Sequence, residues 1–303
     1  MGYGGALIWT GLARNLKRAY PDKKLIFLYR GTLKEIILNK PISDHIIYQN
    51  NDDVSLICSK LKWFFLKKRF RADEIITVDM DDPDCRYWGK ETRDKIEFKT
   101  QKHAIEFACQ AYGLKNIELK PKIVLSKEEI SQIDQLLQKN NLEKNKFICI
   151  EPHANAAYTP NKSWFWDRWQ ELADKINQYI RQNNLDYTIV QIGAPTKELL
   201  SGVIDLTGKT SFRNTARLLE QSRVFICYIG GLVHLAKAMD KINIVLVSAW
   251  EPEELSSYPD DINFYSDIEC KNCGLRIPCP KDRQCMKDIV VAEVFEESKK
   301  FLT

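Results

Sequence analysis

The chain has 303 residues, a net charge of +4 and 28% charged residues. This length exceeds that of the usual single core and predicts two domains of roughly 140 to 150 residues each. The small net charge excludes a dedicated nucleic-acid binder, and no apolar run reaches the ~18 to 20 residues that span a bilayer. Arg14, Lys17 and Arg18 interrupt the start of the chain, so it does not read as a signal peptide, and we expect a cytoplasmic protein.

The first half of the chain alternates helix-like and strand-like segments. In chain order we expect a helix at 7–19, a strand at 24–29, a helix at 32–38, a strand at 73–78 and a helix at 103–112. This alternation predicts helices packed around a parallel sheet. Residues 2–5 resemble a glycine-rich turn that opens the first helix, yet almost no chain precedes them to form the expected first strand. Either the true start lies upstream of Met1, or the N-terminal sheet lacks its usual central strand.

A change in composition predicts a domain boundary after residue 140. Ser126-Lys127-Glu128-Glu129 is a good capping box for a helix within 126–145, and the run 139–145 is polar. We therefore assign residues 1–140 to an N-terminal domain and residues 146–303 to a C-terminal domain.

The C-terminal domain begins a new series of strands and helices. We expect strands at 147–150, 187–192, 223–227 and 242–247, and helices at 164–177, 214–221 and 290–301, with a further helix opening near residue 231. Two α/β domains of the doubly wound, Rossmann-like type, facing each other across a cleft, are the economical architecture. Such domains bind ligands at the carboxyl ends of their strands.

The segment Tyr228-Ile229-Gly230-Gly231-Leu232-Val233-His234 is typical of a phosphate-binding turn. Glycine lets the backbone approach a ligand closely, and the N–H groups and dipole of a first helical turn attract a diphosphate. The alternative is a plain turn between strand and helix that needs glycine for its geometry alone. We predict a nucleotide-linked substrate at this turn.

Several motifs of the second half occur in a characteristic order. They are Glu151-Pro152-His153, Asn161-Lys162-Ser163-Trp164, Gln191-Ile192-Gly193, the segment 205–212, and Gly230-Gly231-Leu232-Val233-His234. In this order and spacing, over residues 148–289, they resemble glycosyltransferase family 9, the heptosyltransferases of lipopolysaccharide synthesis and their relatives. The resemblance implies the two-domain GT-B fold. It also implies inverting, metal-independent transfer of a sugar from a nucleotide diphosphate, with ADP-heptose as the best-known donor, to a saccharide or glycolipid acceptor.

The same resemblance implies roles for individual residues at the donor site. Lys162 falls on the donor diphosphate, where a compact ammonium is a sensible counter-charge, and His234 falls close to the donor phosphates. Thr210 falls beside the nucleobase, and Glu198 is a candidate for the ribose hydroxyls. The turns at Gly193 and at Gly230, Gly231 and Leu232 complete the donor-binding set, whereas Trp164 and Trp166 are interpreted as packing residues. The alternatives are a surface lysine and an ordinary core histidine.

Two acidic positions of the family pattern are not acidic in this chain. Relatives commonly carry a carboxylate where this chain has Ile229, and an aspartate, the presumed general base, where it has Gly5. An inverting transfer needs a group that takes the hydroxyl proton. Candidate substitutes are Asp79, Asp81, Asp82, Asp84, Glu151 and His153. A solvated loop is the alternative interpretation of the aspartate run.

Four of the nine cysteines are clustered near the C-terminus. Cys270, Cys273, Cys279 and Cys285 have a spacing compact enough for one tetrahedral thiolate site, which would hold a structural zinc or iron. Similar clusters occur in some relatives. Unligated thiols or two disulfides are the alternatives, and the other five cysteines are expected to be reduced core thiols. A catalytic metal is not expected.

Residues 60–71 interleave aromatic and basic side chains. Such a segment suits a peripheral contact with an anionic inner-membrane surface or with a phosphorylated glycolipid acceptor. A helix that covers the N-terminal sheet, with its lysines and arginines extending to solvent, would use the same residues.

The leading hypothesis is therefore a GT-B glycosyltransferase that binds its donor in the C-terminal domain. The non-acidic residues at Gly5 and Ile229 motivate a second hypothesis, a non-catalytic relative that serves as a binding or assembly subunit in envelope-polysaccharide synthesis. A sugar-nucleotide epimerase with the same fold is a third, which the cysteine quartet and the Lys-Ser-Trp motif disfavour.

Overall fold

A computed structural model describes residues 2–23, 26–29, 35–36, 45–48, 87–154 and 158–303. Several sequence predictions lie wholly outside these residues: the strand at 73–78, the basic aromatic segment 60–71, and the candidate bases Asp79, Asp81, Asp82 and Asp84. Of the helix expected at 32–38, residues 35–36 are described, and they are helical.

Besides the helical residues 35–36, the first half contributes three helices and four strands within the described residues. They are α1 (Tyr3–Ala19), β1 (Ile26–Tyr29), β2 (His45–Tyr48), β3 (Trp88–Glu91), β4 (Ile96–Phe98), α2 (Ala104–Ala111) and α3 (Lys127–Lys139). Strands β1 and β2 pair in parallel, as expected for a Rossmann-like half, whereas β3 and β4 form an antiparallel pair. Strands β3 and β4 are short, and apolar and polar residues alternate poorly along them. The sequence therefore did not predict this pair.

The start of helix α1 differs from the sequence prediction. The helix begins at Tyr3 rather than near residue 7, so Gly4 and Gly5 lie inside its first turn instead of forming a turn before it. The first turn of α1 packs closely on a later helix, where a Cβ placed on Gly4 would lie only 3.1 Å from the Cα of Gly231. Gly4 is therefore suited to close helix packing, which the local sequence does not report.

The sequence predicted the helix ends correctly where a capping side chain is present. The capping box of α3 is formed, with the Ser126 hydroxyl accepting from the Glu129 N–H at 3.1 Å and the Glu129 carboxylate accepting from the Ser126 N–H at 2.7 Å. Helix α2 begins after His103, whose Nδ1 accepts from the backbone N–H of Ile105, and it is followed by Gly113 at φ +68°.

The second half is a six-stranded parallel sheet with helices on both faces. In chain order its elements are β5 (Phe147–Glu151), α4 (Trp166–Gln182), β6 (Thr188–Gln191), β7 (Ile204–Asp205), α5 (Phe212–Gln221), β8 (Phe225–Tyr228), α6 (Gly231–Ala238), β9 (Asn243–Val247), α7 (Glu253–Ser256), β10 (Ile262–Tyr265), α8 (Gln284–Lys287) and α9 (Val291–Lys299). The expected strands are confirmed. Helix α4 begins two residues later and ends five residues later than the predicted 164–177.

The order of the strands is β10-β9-β8-β5-β6-β7. From β5 the chain proceeds outward through β6 and β7, and it then returns to the other side of β5 to build β8, β9 and β10. The direction of winding therefore reverses between β5 and β8, and in open α/β sheets this reversal opens a crevice at the carboxyl ends of the two strands.

Alternate residues of β5 belong to two hydrophobic clusters, one on each face of the sheet. Phe147 and Cys149 join the cluster that includes helices α1, α2 and α6, whereas Ile148 and Ile150 join the cluster of helices α4 and α9. The period of two in a strand explains this division. Because the first cluster contains helices from both halves of the chain, the two halves share a continuous apolar contact. In the described ranges, no helix is both long enough and apolar enough to cross a bilayer.

Candidate functional site

The carboxyl ends of β5, β6 and β8 converge at one place on the sheet. The hydroxyl of Tyr228, which ends β8, lies 3.5 Å from Oε1 of Glu151, which ends β5. Gly193 follows β6 at φ +128°, and a Cβ built on it would lie 3.7 Å from Cγ of Glu151. A Cβ on Gly230 would lie 2.9 Å from the ring of Tyr228. Gly230 therefore leaves room for the Tyr228 side chain, whereas glycine suits position 193 because of its positive φ.

Helix α6 opens beside this crevice, and the first turn of α1 packs against it. Gly230 is the N-cap of α6 and provides no side-chain cap for the N–H groups of the first turn. The hypothetical Cβ of Gly4 would lie 3.1 Å both from the Cα of Gly231 and from Cδ2 of His234. The two glycine-rich segments noted in the sequence, 226 residues apart in numbering from Gly4 to Gly230, are thus neighbours in the fold.

Lys162 lies close to this turn and is mostly buried. Its Nζ is 2.5 Å from Oε2 of Glu251 and 4.4 Å from the centroid of the Trp250 ring. The exposed fractions of the Lys162 and Glu251 side chains are 14% and 5%. Lys162 is therefore not a surface lysine, and its alternative interpretation as one is wrong.

Glu251 is a site residue that the sequence reasoning missed. It follows β9, the strand next to β8, so it occupies the same carboxyl edge of the sheet as the glycine turn. An acidic residue shortly after a predicted buried strand was the available signal, because parallel strands deliver such residues to the ligand-binding edge.

His234 is buried and hydrogen-bonded. Its Nδ1 lies 2.8 Å from the hydroxyl of Tyr258. Burial, with a further contribution from the positive charge of Lys162, lowers the pKa of His234 to about 4. His234 is thus neutral near pH 7 and lies within electrostatic range of Lys162. The fold therefore brings together the residues that the sequence predicts to bind phosphate, which are Lys162, Gly230, Gly231 and His234, with Leu232 on the same turn.

The other predicted donor residues lie in the loops that follow β6 and β7. The Thr210 hydroxyl is 2.8 Å from that of Thr215, and the Glu198 side chain is 71% exposed. No hydrogen bond or ion pair between described residues joins either side chain to Lys162. Their roles at the nucleobase and the ribose stay predictions.

His153 is the histidine among the candidate bases, and its contacts include Glu198 and Trp166. Its Nε2 is 3.0 Å from the backbone oxygen of Glu198, and its ring stacks on Trp166 at 5.0 Å between centroids. Trp164 is a core residue, as interpreted from the sequence, and its indole N–H donates to the backbone oxygen of Met286 at 3.1 Å.

Glu151 is protonated at neutral pH. Burial raises the pKa of this carboxyl from 4.5 to about 8, against a smaller opposite effect of the Tyr228 hydroxyl, and its Oε2 has no hydrogen-bond partner among the residues that are described. A carboxyl that already carries its proton at pH 7 is unsuited to act as a general base there.

The raised pKa of Glu151 predicts a specific pH dependence of stability. The folded protein holds this proton between about pH 4.5 and pH 8 while the unfolded chain does not, so Glu151 lowers the free energy of unfolding as pH rises, by at most about 1.4 kcal/mol per pH unit. Glu151→Gln removes this term. As pH rises from 5 to 8, we expect the free energy of unfolding of the variant to increase relative to that of wild type, as measured by urea titrations.

Only the difference between the two proteins tests this expectation, because other buried groups titrate in the same range. Burial raises the pKa of Asp261 to about 7 in the folded protein, and burial lowers that of His103 to about 3 from the value of 6.5 at which it titrates in the unfolded chain. These groups are common to both proteins and cancel in the comparison. A stability difference that stays constant over this range would show that Glu151 is ionised in the folded state at pH 5.

Neither of the family's acidic positions is replaced by a neighbouring acid on the same turn. Ile229 is buried in the core, and Gly5 lies in the first turn of α1. Any carboxylate beside these two turns must therefore come from another element of the fold.

Cys270, Cys273 and Cys279 lie in the loop between β10 and α8, Cys285 lies in α8, and all four are free thiols. Burial raises the pKa of Cys273, and the neighbouring Cys279 and Cys270 raise it further. Burial likewise raises the pKa of Cys285, again with contributions from other cysteines of the loop. Among the residues described, no three His, Cys, Asp or Glu side chains form a group ready to hold a metal ion.

Asn161, the residue before Lys162, ties this cysteine loop to the site. Its side-chain amide donates to the backbone oxygens of Leu275 and Ile277 at 2.9 and 2.8 Å, and its side-chain oxygen accepts from the N–H of Cys279 at 3.0 Å. The Trp250 indole also donates to the Leu275 oxygen, at 2.6 Å. The loop therefore supports both Lys162 and the residue that precedes Glu251.

Comparison with known proteins identifies relatives of this arrangement. The model of glycosyltransferase family 9 (heptosyltransferase) matches residues 91–283. No curated protein matches the chain at the level of sequence.

Solved structures of the same architecture cover nearly the whole chain. A glycosyl transferase family 9 protein from Veillonella parvula DSM 2008 is 14% identical with a TM-score of 0.69, over 100% of this chain and 94% of that one. E. coli ADP-heptose LPS heptosyltransferase II is 16% identical with a TM-score of 0.61, over 99% and 96%. The dodecameric iron-containing heptosyltransferase TibC of enterotoxigenic E. coli H10407, solved in complex with ADP-D-beta-D-heptose, is 16% identical with a TM-score of 0.64, over 99% and 74%. At these identities the likeness establishes the fold, which is the predicted GT-B architecture.

Proposed function

Because the chain belongs to glycosyltransferase family 9, an enzyme family that uses nucleotide sugars, we propose that it transfers a sugar such as heptose from an ADP-linked donor. The proposed acceptor is a saccharide or glycolipid, and the proposed transfer inverts the anomeric centre without a catalytic metal. The observation that carries this proposal is the convergence of Lys162, His234 and the Gly230-Gly231 turn at the carboxyl edge of the C-terminal sheet.

The contacts of the site support a mechanism based on positioning and charge. The Lys162 ammonium and the N-terminus of α6 would stabilise the diphosphate as the bond between it and the sugar breaks. An acceptor hydroxyl attacks the anomeric carbon from the opposite face, and its proton passes to a base as the new glycosidic bond forms. His234 is neutral, so Lys162 supplies the positive charge of this group.

Binding of ADP tests the proposal directly. We expect wild-type protein to bind ADP in calorimetry, with the same affinity in the presence of EDTA. Lys162→Ala is expected to weaken ADP binding by roughly 30-fold to 150-fold, the range for loss of a charge-assisted hydrogen bond worth about 2–3 kcal/mol. Absence of ADP binding by the folded wild-type protein would contradict the proposed donor.

A matched control separates the site from general charge effects. Lys175→Ala removes the same charge from the exposed side of α4, where Lys175 pairs with Glu171 at 3.6 Å, and we expect it to leave ADP affinity unchanged. Because Lys162→Ala leaves the buried Glu251 without its partner, the melting temperature of each variant is measured alongside binding.

The non-acidic residues at Gly5 and Ile229 favour one alternative, a relative that binds nucleotide sugar but serves as an assembly subunit of envelope-polysaccharide synthesis. Transfer of sugar from ADP-heptose to a lipopolysaccharide-type acceptor, lost in Lys162→Ala, would exclude this alternative. ADP binding without transfer or donor hydrolysis would favour it.

Two accessory features are part of the proposal. Cys270, Cys273, Cys279 and Cys285 have a spacing suited to one tetrahedral thiolate site for structural zinc or iron, and we propose that they hold such an ion when it is available. Residues 60–71 are proposed to contact the inner-membrane surface. Metal analysis of purified protein and vesicle sedimentation, respectively, test these two features.

A further inference from the structure

The ion pair between Lys162 and Glu251 involves the lysine proposed to bind the donor diphosphate. The pair is close, at 2.5 Å, and both side chains are largely buried. The second carboxylate oxygen of Glu251, Oε1, is buried, and no described residue hydrogen-bonds to it. Lys162 is thus the polar contact that holds the Glu251 carboxylate.

Other charged and polar groups around Glu251 do not replace Lys162. Arg276 pairs instead with Glu91 at 2.7 Å, and the indole N–H of Trp250 donates to the Leu275 backbone. Tyr87 and Tyr158 lie within electrostatic range of Glu251, and the pKa of each is raised first by burial and then by the negative charge of that carboxylate. In the part of the chain that is described, Lys162 is the cation that forms an ion pair with Glu251.

Glu251 lies at the same edge of the sheet as Ile229, the position at which relatives commonly carry an acid. Ile229 directly follows β8, and Glu251 follows the adjacent parallel strand β9, so both lie at one edge of the sheet. The carboxylate near Lys162 is supplied by the neighbouring strand instead of the glycine turn.

We propose that Glu251 is the counter-ion of Lys162 in the donor-free enzyme and that the donor diphosphate exchanges with it. A buried ammonium that loses its partner without replacement is costly, and a diphosphate provides that replacement. Donor binding therefore opposes the existing ion pair, and Glu251 lowers the affinity of the site for diphosphates. Glu251 acts through Lys162 and is a positioning residue. This inference rests on the proposed function, because it takes Lys162 as the diphosphate ligand.

Calorimetry with ADP and with adenosine tests the exchange. Glu251→Gln keeps the shape of the side chain but removes its charge, so we expect ADP to bind about tenfold more tightly than to wild type. Adenosine carries no phosphate and is expected to bind both proteins equally. A purely structural role of Glu251 would instead weaken the binding of both compounds.

Glu254→Gln is the matched control. Glu254 is exposed on α7, three residues from Glu251, so the variant makes the same change in net charge without touching Lys162, and ADP affinity should stay within twofold of wild type. Glu251→Asp provides a second variant if the glutamine protein does not fold. Its carboxylate is drawn back by one methylene, and we expect a smaller gain in ADP affinity, about threefold.

The outcomes separate this inference from the proposed function. Wild-type protein that does not bind ADP would overturn the proposed function. Wild-type protein that binds ADP, with Glu251→Gln binding it no more tightly, would overturn the exchange and leave the proposed function intact.

Discussion

Replacement of Arg213 by alanine is expected to lower the free energy of unfolding by about 3 to 5 kcal/mol, the range for breaking a buried ion pair by removing one partner. Arg213 lies on α5 and is buried, and its Nε is 2.5 Å from Oε1 of Glu129. It also donates to the backbone oxygens of Glu35, Ile36 and Val124. Alanine would leave these acceptors and the Glu129 carboxylate without their donor. Urea unfolding followed by circular dichroism measures the loss.

The expected loss is large because Arg213 joins segments from both halves of the chain. Glu129 lies near the start of α3, and its carboxylate also completes the capping box with Ser126. Removal of the guanidinium therefore takes away the positive charge that both Glu129 carboxylate oxygens contact between α3 and α5.

Arg217 provides the control for Arg213. It lies one turn later on α5 and pairs with Asp134 at 2.9 Å and Glu220 at 2.6 Å, but Asp134 is 47% exposed and Glu220 37% exposed. Surface pairs of this kind contribute about 0 to 1 kcal/mol, so Arg217→Ala should unfold almost as wild type does. Similar destabilisation by both variants would indicate that α5 needs its arginines for another reason than the buried contacts.

Replacement of Gly274 by alanine is expected to lower the free energy of unfolding by about 2 to 5 kcal/mol. The residue has φ +61°, which costs an L-residue about 1 to 2 kcal/mol, and its added Cβ would lie 1.8 Å from the backbone oxygen of Ile96. Overpacking adds about 1 to 3 kcal/mol. Thermal melting and urea unfolding of the variant measure the sum of the two effects.

Gly113→Ala isolates the clash from the backbone conformation. Gly113 has φ +68°, and a Cβ there would meet no atom within 4 Å, so only the cost of about 1 to 2 kcal/mol for the left-handed conformation applies. Equal stability of the two variants would show that the cysteine loop moves away from Ile96 without cost.

The contact at Gly274 also connects the cysteine loop to the proposed site. The Gly274 N–H donates to the backbone oxygen of Trp250 at 2.9 Å, and its own oxygen accepts from the N–H of Ile96 at 2.9 Å. Displacement of Gly274 would therefore shift Trp250, on whose ring the Lys162 ammonium rests. We expect Gly274→Ala to weaken ADP binding as well as stability.

Elements with strong local patterns were predictable from the sequence. Strands β5, β8 and β9 are continuous apolar runs because both their faces are covered, and the capping box at Ser126 marks the start of α3. The β3–β4 pair lacked such a pattern. Its β4 strand is held in part by a contact with the distant Gly274 loop, which no local pattern reports.

Some features of the candidate site were likewise predictable from the sequence, and others were not. The sequence by itself determined the glycine turn and the order of the family motifs and made Lys162 and His234 the candidate residues, since each depends on which residues follow one another in the chain. Only the tertiary structure decided that Lys162 pairs with Glu251, 89 residues later, that Gly4 packs on Gly231, and that Arg213 joins the two halves. The physical reason is that a charge or a helix surface finds its partner through the order of strands in the sheet and the packing of helices upon it, and neither is recorded in the local spacing of residues.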